Sequence, residues 1–356
     1  MKTVLLHASY FAKNFGDVLL WKIVAERAGA VVGVDGLRYC NMPEDMEDAF
    51  LRGLGGIEKL GSNENIDAAI FCGGGYLMPP HSGGLRWEIR NFLRHGRALR
   101  EAYRSGKVSV FGVGLGRIKL PFFRNVVGGV LSIASPLLVR DKESQESLSH
   151  YGVSTGNAHV VPDLALAYVS EEKDRYKSSP KFLGIHADFQ GVDEEKKSLF
   201  LSACRDLILR TGLPIRFLVD CESKSSISSV GETRSQLGVT ERDLIVYQND
   251  CDEFLRAIGE CAFVLTTKLH VGICATALGI PVASIAKHAK TKRFYNQVEQ
   301  PWRCISTGDE LRMLLCRDDL LFDVELPHDL IETGRDALDA VSKFALEVNN
   351  ARDARN

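Results

Sequence analysis

Short apolar runs, each about the length of a buried strand, alternate with amphipathic stretches of helical period along most of the chain, and the whole alternation occurs twice. Few architectures accept that pattern. A strand returned to its own sheet by a helix lies parallel to its predecessor, and helices must then cover both faces, so the chain reads as α/β with parallel sheets. In the first half, strands are expected at Lys2 to Leu6, Val31 to Val34, Ala68 to Cys72, Val108 to Phe111 and Leu137 to Val139, with His159 to Val161 closing the set. Helices are expected at Val18 to Ala28, Leu85 to Ser105 and Lys142 to Tyr151, the last capped by Asp141. The second half repeats the scheme from strand Phe182 to Ile185 through helix Lys268 to Leu278 and strand Val282 to Ile285. Between the halves, Ser170 to Pro180 is polar without apolar period, the composition of an interdomain linker. The expected organisation is an α/β domain over 1–172, a second over 180–325, and a C-terminal segment, 326–356, whose helix packs across the junction. Ligand is then expected in the cleft between the two domains.

A length of 356 residues exceeds what one hydrophobic core usually serves. With 45% apolar and 25% charged residues the chain is ordinary for a globular protein. A net charge of −2 gives no general attraction to nucleic acid, which is not expected as a partner. The nine cysteines are scattered and form no Cys-x-x-Cys pair, which argues for a reducing cytoplasm and against a zinc site. The apolar stretch Leu120 to Leu138 is interrupted by Arg124, Asn125, Pro136 and a Gly128-Gly129 pair, so no transmembrane segment is expected, while peripheral contact at the inner face of a membrane stays open. Oligomeric state is silent in the sequence.

Open parallel sheets bind ligands beyond the carboxyl ends of their strands, so the turns there carry the candidates. The first, Lys13-Asn14-Phe15-Gly16-Asp17, opens into an apolar helix, with Asp17 either its N-cap or an acid-base carboxylate. The second is Gly73-Gly74-Gly75, read as a turn whose backbone approaches a ligand closely. Gly112-Val-Gly114-Leu-Gly116 lacks the spacing of a dinucleotide fingerprint. Arg140, at the end of a strand, either forks onto a carboxylate or phosphate or pairs with a neighbouring acid. In Thr266-Thr267-Lys268-Leu269-His270 a threonine is expected to cap the helix, with Lys268 and His270 in its first turn, where the helix dipole favours an anion. Lys287, Lys290, Lys292 and Arg293 add positive charge after the next strand. Gly152-Val-Ser154-Thr-Gly156 spells a nucleophile elbow but follows a helix, the wrong context, and Asp250-Cys-Asp252 is read as capping rather than metal binding.

Taken in order, Asn14-x-Gly16-Asp17, Gly73-Gly74-Gly75, Val139-Arg140-Asp141-x-x-Ser144, Pro162-Asp163 and Thr267-Lys268-Leu269-His270 with Gly279-Ile280-Pro281 resemble the polysaccharide pyruvyl transferase family. The resemblance implies two Rossmann-like domains in a GT-B-like arrangement. It implies transfer of the enolpyruvyl unit of phosphoenolpyruvate, a co-substrate rather than a cofactor, onto two hydroxyls of a sugar as a cyclic ketal, without metal. The partners implied are that small-molecule donor and a glycan acceptor, lipid-linked or free. His270, Asp17 and Arg140 become the catalytic candidates, with His270 and Asp17 interchangeable as acid and base. Arg140, Lys268, His270, Thr267 and Arg293 become the donor contacts, and Asn14, Gly73, Gly74 and Gly75 the acceptor side. Two departures stand out: Lys268 replaces the family's usual arginine, and the usual glycines before Asn14 are missing. The rival readings are a nucleotide-sugar glycosyltransferase and a non-catalytic sugar-phosphate binding protein.

Overall fold

The computed structural model describes residues 2–11, 13–79, 84–240 and 243–351. The chain divides into two compact units, one of residues Met1–Ala12, Asp17–Leu164 and Glu332–Asn356, the other of Lys13–Gly16 and Ala165–Ile331. The outermost limits expected for the domains, residues 1 and 356, lie outside the described residues.

In the first unit the order is β1 (Val4–His7), α1 (Phe15–Val32), β2 (Leu37–Tyr39), α2 (Glu44–Leu51), β3 (Glu58–Lys59), β4 (Ala68–Leu77), α3 (Leu85–Ser105), β5 (Val108–Leu115), α4 (Pro121–Ile133), β6 (Ala134–Val139), α5 (Lys142–Glu146) and β7 (His159–Val160). Its seven strands are all parallel, in the order β3-β2-β1-β4-β5-β6-β7. The second unit runs α6 (Leu164–Glu171), α7 (Lys173–Tyr176), β8 (Phe182–His186), α8 (Glu194–Thr211), β9 (Ile215–Val219), α9 (Lys224–Leu237), β10 (Leu244–Val246), α10 (Cys251–Gly259), β11 (Cys261–Thr266), α11 (Leu269–Ala277), β12 (Val282–Ile285), α12 (Ala289–Gln297), β13 (Cys304–Ile305) and α13 (Gly308–Leu315). Its six strands, again parallel, lie in the order β10-β9-β8-β11-β12-β13. Each unit is therefore Rossmann-like, with the strand order reversing between β1 and β4 in one and between β8 and β11 in the other.

The strands are apolar on both faces because helices cover both: Phe71, Val110 and Val113 pack with Leu99 of α3 and Phe123 and Val127 of α4, while Phe217, Phe263 and Leu265 pack with Phe200 and Leu207 of α8. Caps follow the local sequence. Asp141 starts α5 by accepting from the Ser144 N–H, Asp193 starts α8, and Asp250 accepts from the Asp252 and Glu253 N–H groups, which makes it a cap as expected.

Three expectations need correction. Gly73-Gly74-Gly75 is not a turn but lies inside the ten-residue β4, where a central parallel strand needs no side-chain alternation and Gly74 takes φ +111°. Gly112 and Gly114 likewise belong to β5. The polar run Ser170 to Pro180 is no linker: α6 and α7 occupy much of it, Tyr176 is buried, and its hydroxyl donates to Asp252. The C-terminal helix, α14 (His328–Asn350), has its first residues in the second unit and the rest, from Glu332, in the first, with Phe344 edge-on to Phe111 of β5. None of the nine cysteines is in a disulfide, and of the nine only Cys316 is exposed. No helix among the described residues is long and apolar enough to cross a membrane.

A buried polar chain in the first unit sets an acid limit. The Tyr10 hydroxyl donates to the Cys40 carbonyl, so it must accept from His7 Nδ1–H at 2.6 Å. His7 Nε2 is then an acceptor and takes a hydrogen bond from His95 Nδ1 at 2.8 Å. Burial pushes the His7 imidazole down to about 3, and His95 also falls well below its ordinary value through burial and the neighbouring His7 and Arg94. Both histidines are neutral in the folded chain, whereas the unfolded chain takes up protons below about pH 6.5. Stability is thus whole above that pH and falls as pH drops toward 3, by about 1.4 kcal/mol per pH unit for each such histidine. Denaturant titrations between pH 7 and pH 4.5 are expected to show this decline, with a smaller slope in His7→Gln; equal slopes would remove the assignment.

Candidate functional site

In the second unit the carboxyl ends of β8, β9, β11 and β12 bring together a dense polar cluster. β8 ends on His186 with Asp188 just beyond, Asp220 follows β9, Thr267 and Lys268 follow β11, and Lys287 follows β12. The cluster lies on both sides of the β8/β11 reversal, where open α/β sheets place ligands.

Asp220 is its centre. The side chain is 1% exposed, with His186 Nε2 3.0 Å from Oδ1 and Lys268 Nζ 2.9 Å from Oδ2. Burial alone would raise the Asp220 carboxyl, but the Lys268 ammonium and the His186 hydrogen bond overcome it and hold the group well below the usual carboxylate range. An ionised carboxylate only accepts, so His186 Nε2 carries the hydrogen and donates. Burial would lower the Lys268 ammonium, yet Asp220 raises it above its ordinary value, so the lysine is charged at every physiological pH. The backbone of Asp220 is used too: its carbonyl accepts from the Phe15 N–H at 2.9 Å.

A second ion pair lies beside the first. Lys287 Nζ is 2.9 Å from Asp188 Oδ2 and also donates to the Asp188 carbonyl, and the lysine holds that carboxyl down against the effect of burial. The Thr267 hydroxyl accepts from the Asp188 N–H at 2.9 Å and donates to the Asp188 carbonyl at 3.2 Å, so it braces the turn after β8. Neither threonine caps α11, contrary to expectation. Lys268 is the N-cap residue in extended conformation, without a side-chain cap, and Thr266 Oγ1 accepts from its N–H. The first N–H groups of α11 therefore keep no intrahelical acceptor.

His270 lies in that first turn, 7% exposed. Against it stands Gly16: a Cβ there would fall 1.9 Å from His270 Nδ1, 2.2 Å from Cγ and 2.7 Å from Cβ. The Asn14-x-Gly16 segment and the Thr267 to His270 segment, remote in sequence, are thus packed together in one unit, and Phe15 anchors the former with its ring on Phe254 and Tyr247. Arg293 is half-buried on α12.

The first unit holds the remaining candidates in two groups. Asp17 is in the first turn of α1 rather than at its N-cap, because the helix begins at Phe15. Its Oδ1 is 3.6 Å from where a Gly74 Cβ would be, so the carboxylate lies against the Gly74 backbone of β4. Gly73 is closed in by Leu20, while Gly75 has open space before it. Arg140 is buried beside Asp141 and Asp163, each 3.9 Å away, with its Nη2 unpartnered against the backbone of Gly114. The arginine is paired with neighbouring acids, the alternative weighed for it above. Ser144 donates to Asp141 at 2.6 Å and accepts from the Leu115 N–H, which explains the Asp141-x-x-Ser144 spacing as a stitch between β5 and α5.

A family model described as polysaccharide pyruvyl transferase matches residues 14–288, more than three quarters of the chain. The chain belongs to that family. All the motif segments named above fall inside the match, from Asn14 to Pro281. Among curated proteins none matches this family member significantly. Among solved structures, UDP-GlcNAc 2-epimerase from Methanocaldococcus jannaschii is similar at TM-score 0.59 and 12% identity, covering 96% of this chain and 100% of its own. Anabaena Alr3699/HepE in complex with UDP has TM-score 0.52 and 11% identity over 100% and 99% of the two chains. A glycosyltransferase from Rickettsia africae has TM-score 0.51 and 11% identity over 98% and 97%. At such identities the likeness concerns fold alone, and it shows the GT-B-like fold of two Rossmann-like units.

Sequence reasoning missed His186, Asp188 and Asp220. Each ends or closely follows a buried strand, at Gly-Ile-His-Ala-Asp and Phe-Leu-Val-Asp, and that was the available signal.

Proposed function

We propose that this family member transfers the enolpyruvyl unit of phosphoenolpyruvate to two hydroxyls of a glycan and releases phosphate. The observation that carries the reading is the placement of Lys268 and His270 at the start of α11, beside the strand-order reversal of the second unit. Phosphoenolpyruvate bears a carboxylate and a phosphate. The start of α11 and its dipole suit one of them, and Lys268 supplies a charge that Asp220 fixes in place. Because Asp220 and Asp188 balance the two lysines, much of the pull on a dianion rests with the dipole of that helix end.

In the reaction, His270 delivers a proton to the methylene carbon, making it a methyl group, while a sugar oxygen bonds to the adjacent carbon and gives up its proton to a general base, the role for which Asp17 is the sequence candidate. The bond from that carbon to the phosphate oxygen then breaks, and a second hydroxyl closes the ketal and passes its proton to the departing phosphate. No metal is assigned a step. Arg140, set against Asp141 and Asp163, positions the end of β6.

Two measurements test the reading. Phosphoenolpyruvate at a hundred times its Kd is expected to raise unfolding free energy by about 2.7 kcal/mol. Incubation with a panel of glycans should release phosphate and add the pyruvyl mass to one of them. The fold neighbours whose structures hold UDP motivate the rival, transfer from a nucleotide sugar. Nucleotide release with no phosphate would favour that rival, and phosphoenolpyruvate binding without turnover, unchanged in His270→Ala, would favour a binding protein.

A further inference from the structure

Five of the large apolar side chains exposed among the described residues lie on two adjoining helices of the first unit: Leu85 (59%), Ile89 (42%), Leu93 (71%) and Tyr103 (57%) on α3, and Phe122 (47%) on α4. On α3 three of them recur every fourth residue, which puts them in one stripe. Arg86, Arg90, Arg97, Arg100 and Arg104 run alongside on the same exposed half, while Asn91, His95, Ala98, Leu99 and Ala102 take the buried half. The chain carries a net charge of −2, so this strip is a local departure from its overall balance.

Acidic residues do little to cancel it. Glu88 is buried, and its carboxylate accepts from the Lys119 and Leu120 N–H groups, which fixes the start of α4 against α3. Glu101 partners Arg104 and Arg100; among the described residues no carboxylate pairs with Arg86 or Arg90, while Arg97 donates to the Leu60 and Gly61 carbonyls. Between the helices opens a groove of about 530 Å³, lined by Phe92, Leu93, Val126 and Tyr103 with Arg97 and Arg100 at its side. Gly96 and Gly129 keep it open, since a Cβ at either would fall 3.2 Å from the ring of Phe92 or Tyr103.

We propose that the α3–α4 face docks on an anionic lipid surface. Leu85, Ile89, Leu93 and Phe122 enter the boundary between headgroups and acyl chains, and the arginines meet lipid phosphates. An exposed apolar stripe flanked by an excess of arginine over carboxylate fits that chemistry, since the apolar groups are poorly served by water and the cations by a neutral surface. The inference stands apart from the donor assigned above, because it is read by binding and not by product.

The full chain is to be sedimented with vesicles of phosphatidylglycerol and phosphatidylcholine in equal parts, and with phosphatidylcholine alone. Binding is expected only to the mixed vesicles, and it should weaken as salt shortens the reach of the charges. Arg86→Gln/Arg90→Gln/Arg100→Gln is expected to lose on the order of a hundredfold in affinity. Leu93→Ser/Phe122→Ser, which alters only exposed side chains, is expected to lose at least about tenfold through the apolar area removed. Absence of binding to the mixed vesicles, or binding that neither variant changes, overturns the proposal. So does self-association in solution that Leu93→Ser/Phe122→Ser abolishes, because the face would then be an interface between copies.

Discussion

Asp220→Ala is expected to lower the stability of the second unit by about 3–5 kcal/mol, the effect of breaking a buried ion pair from one side. The substitution leaves the Lys268 ammonium without its carboxylate and His186 Nε2–H without its acceptor, in a place where Asp220 itself is 1% exposed. Since 27% of the Lys268 side chain reaches solvent, the lysine can partly rehydrate, and the lower end of that range is expected. The loss should be flat with pH across the neutral range. Asp220 has a depressed folded value, so its contribution is present above the unfolded carboxylate value near 4 and disappears only as pH falls below it. Lys268 has a raised folded value, so its contribution is present below about pH 10 and disappears only as pH rises beyond. Denaturant unfolding of the second unit at pH 6, 7 and 8 checks both magnitude and flatness. A loss under about 1 kcal/mol would mean that the pair does not hold these strand ends together.

Asp220 also illustrates what a sequence read in local windows conceals. The strand-helix alternation and the parallel sheets follow from periodicity, and α3 and β12 occupy their expected residues. Lys268 was identified as a cation at a helix start, which it is, but its partner lies two strands away in sheet order and no spacing links them. The lysine therefore enters the site already neutralised. The Ser170 to Pro180 run misled for a related reason: its polarity is real, yet Arg175 and Tyr176 find their partner in Asp252 of α10, which gives the segment a place to pack. Gly73 to Gly75 looked like a turn because glycine weakens an isolated strand, whereas β4 is held by β1 on one side and β5 on the other. In each case a tertiary partner outweighed the local preference.

His270→Ala is expected to lower pyruvyl transfer by about 10² to 10⁴-fold with the fold retained, the range for removing a general acid. The contact with Gly16 supplies a control that separates chemistry from placement. By helix propensity, Gly16→Ala in the first turn of α1 would gain up to about 1 kcal/mol. The new methyl group, however, would overlap His270 Nδ1, Cγ and Cβ, and overpacking of that kind costs about 1–3 kcal/mol, so the clash decides the sign. The imidazole must turn aside or the helix start must shift, and a displacement near 1 Å costs about 10²-fold in rate. Combining the two substitutions removes the contacts at 1.9 and 2.2 Å and leaves only the one at 2.7 Å. The double variant should therefore recover part of the stability lost in Gly16→Ala while remaining as inactive as His270→Ala, a coupling of about 0.5–3 kcal/mol between the positions. Strictly additive stabilities would show that Gly16 does not set the position of His270. A Gly16→Ala protein with full activity would show that the imidazole's placement is not what the reaction requires.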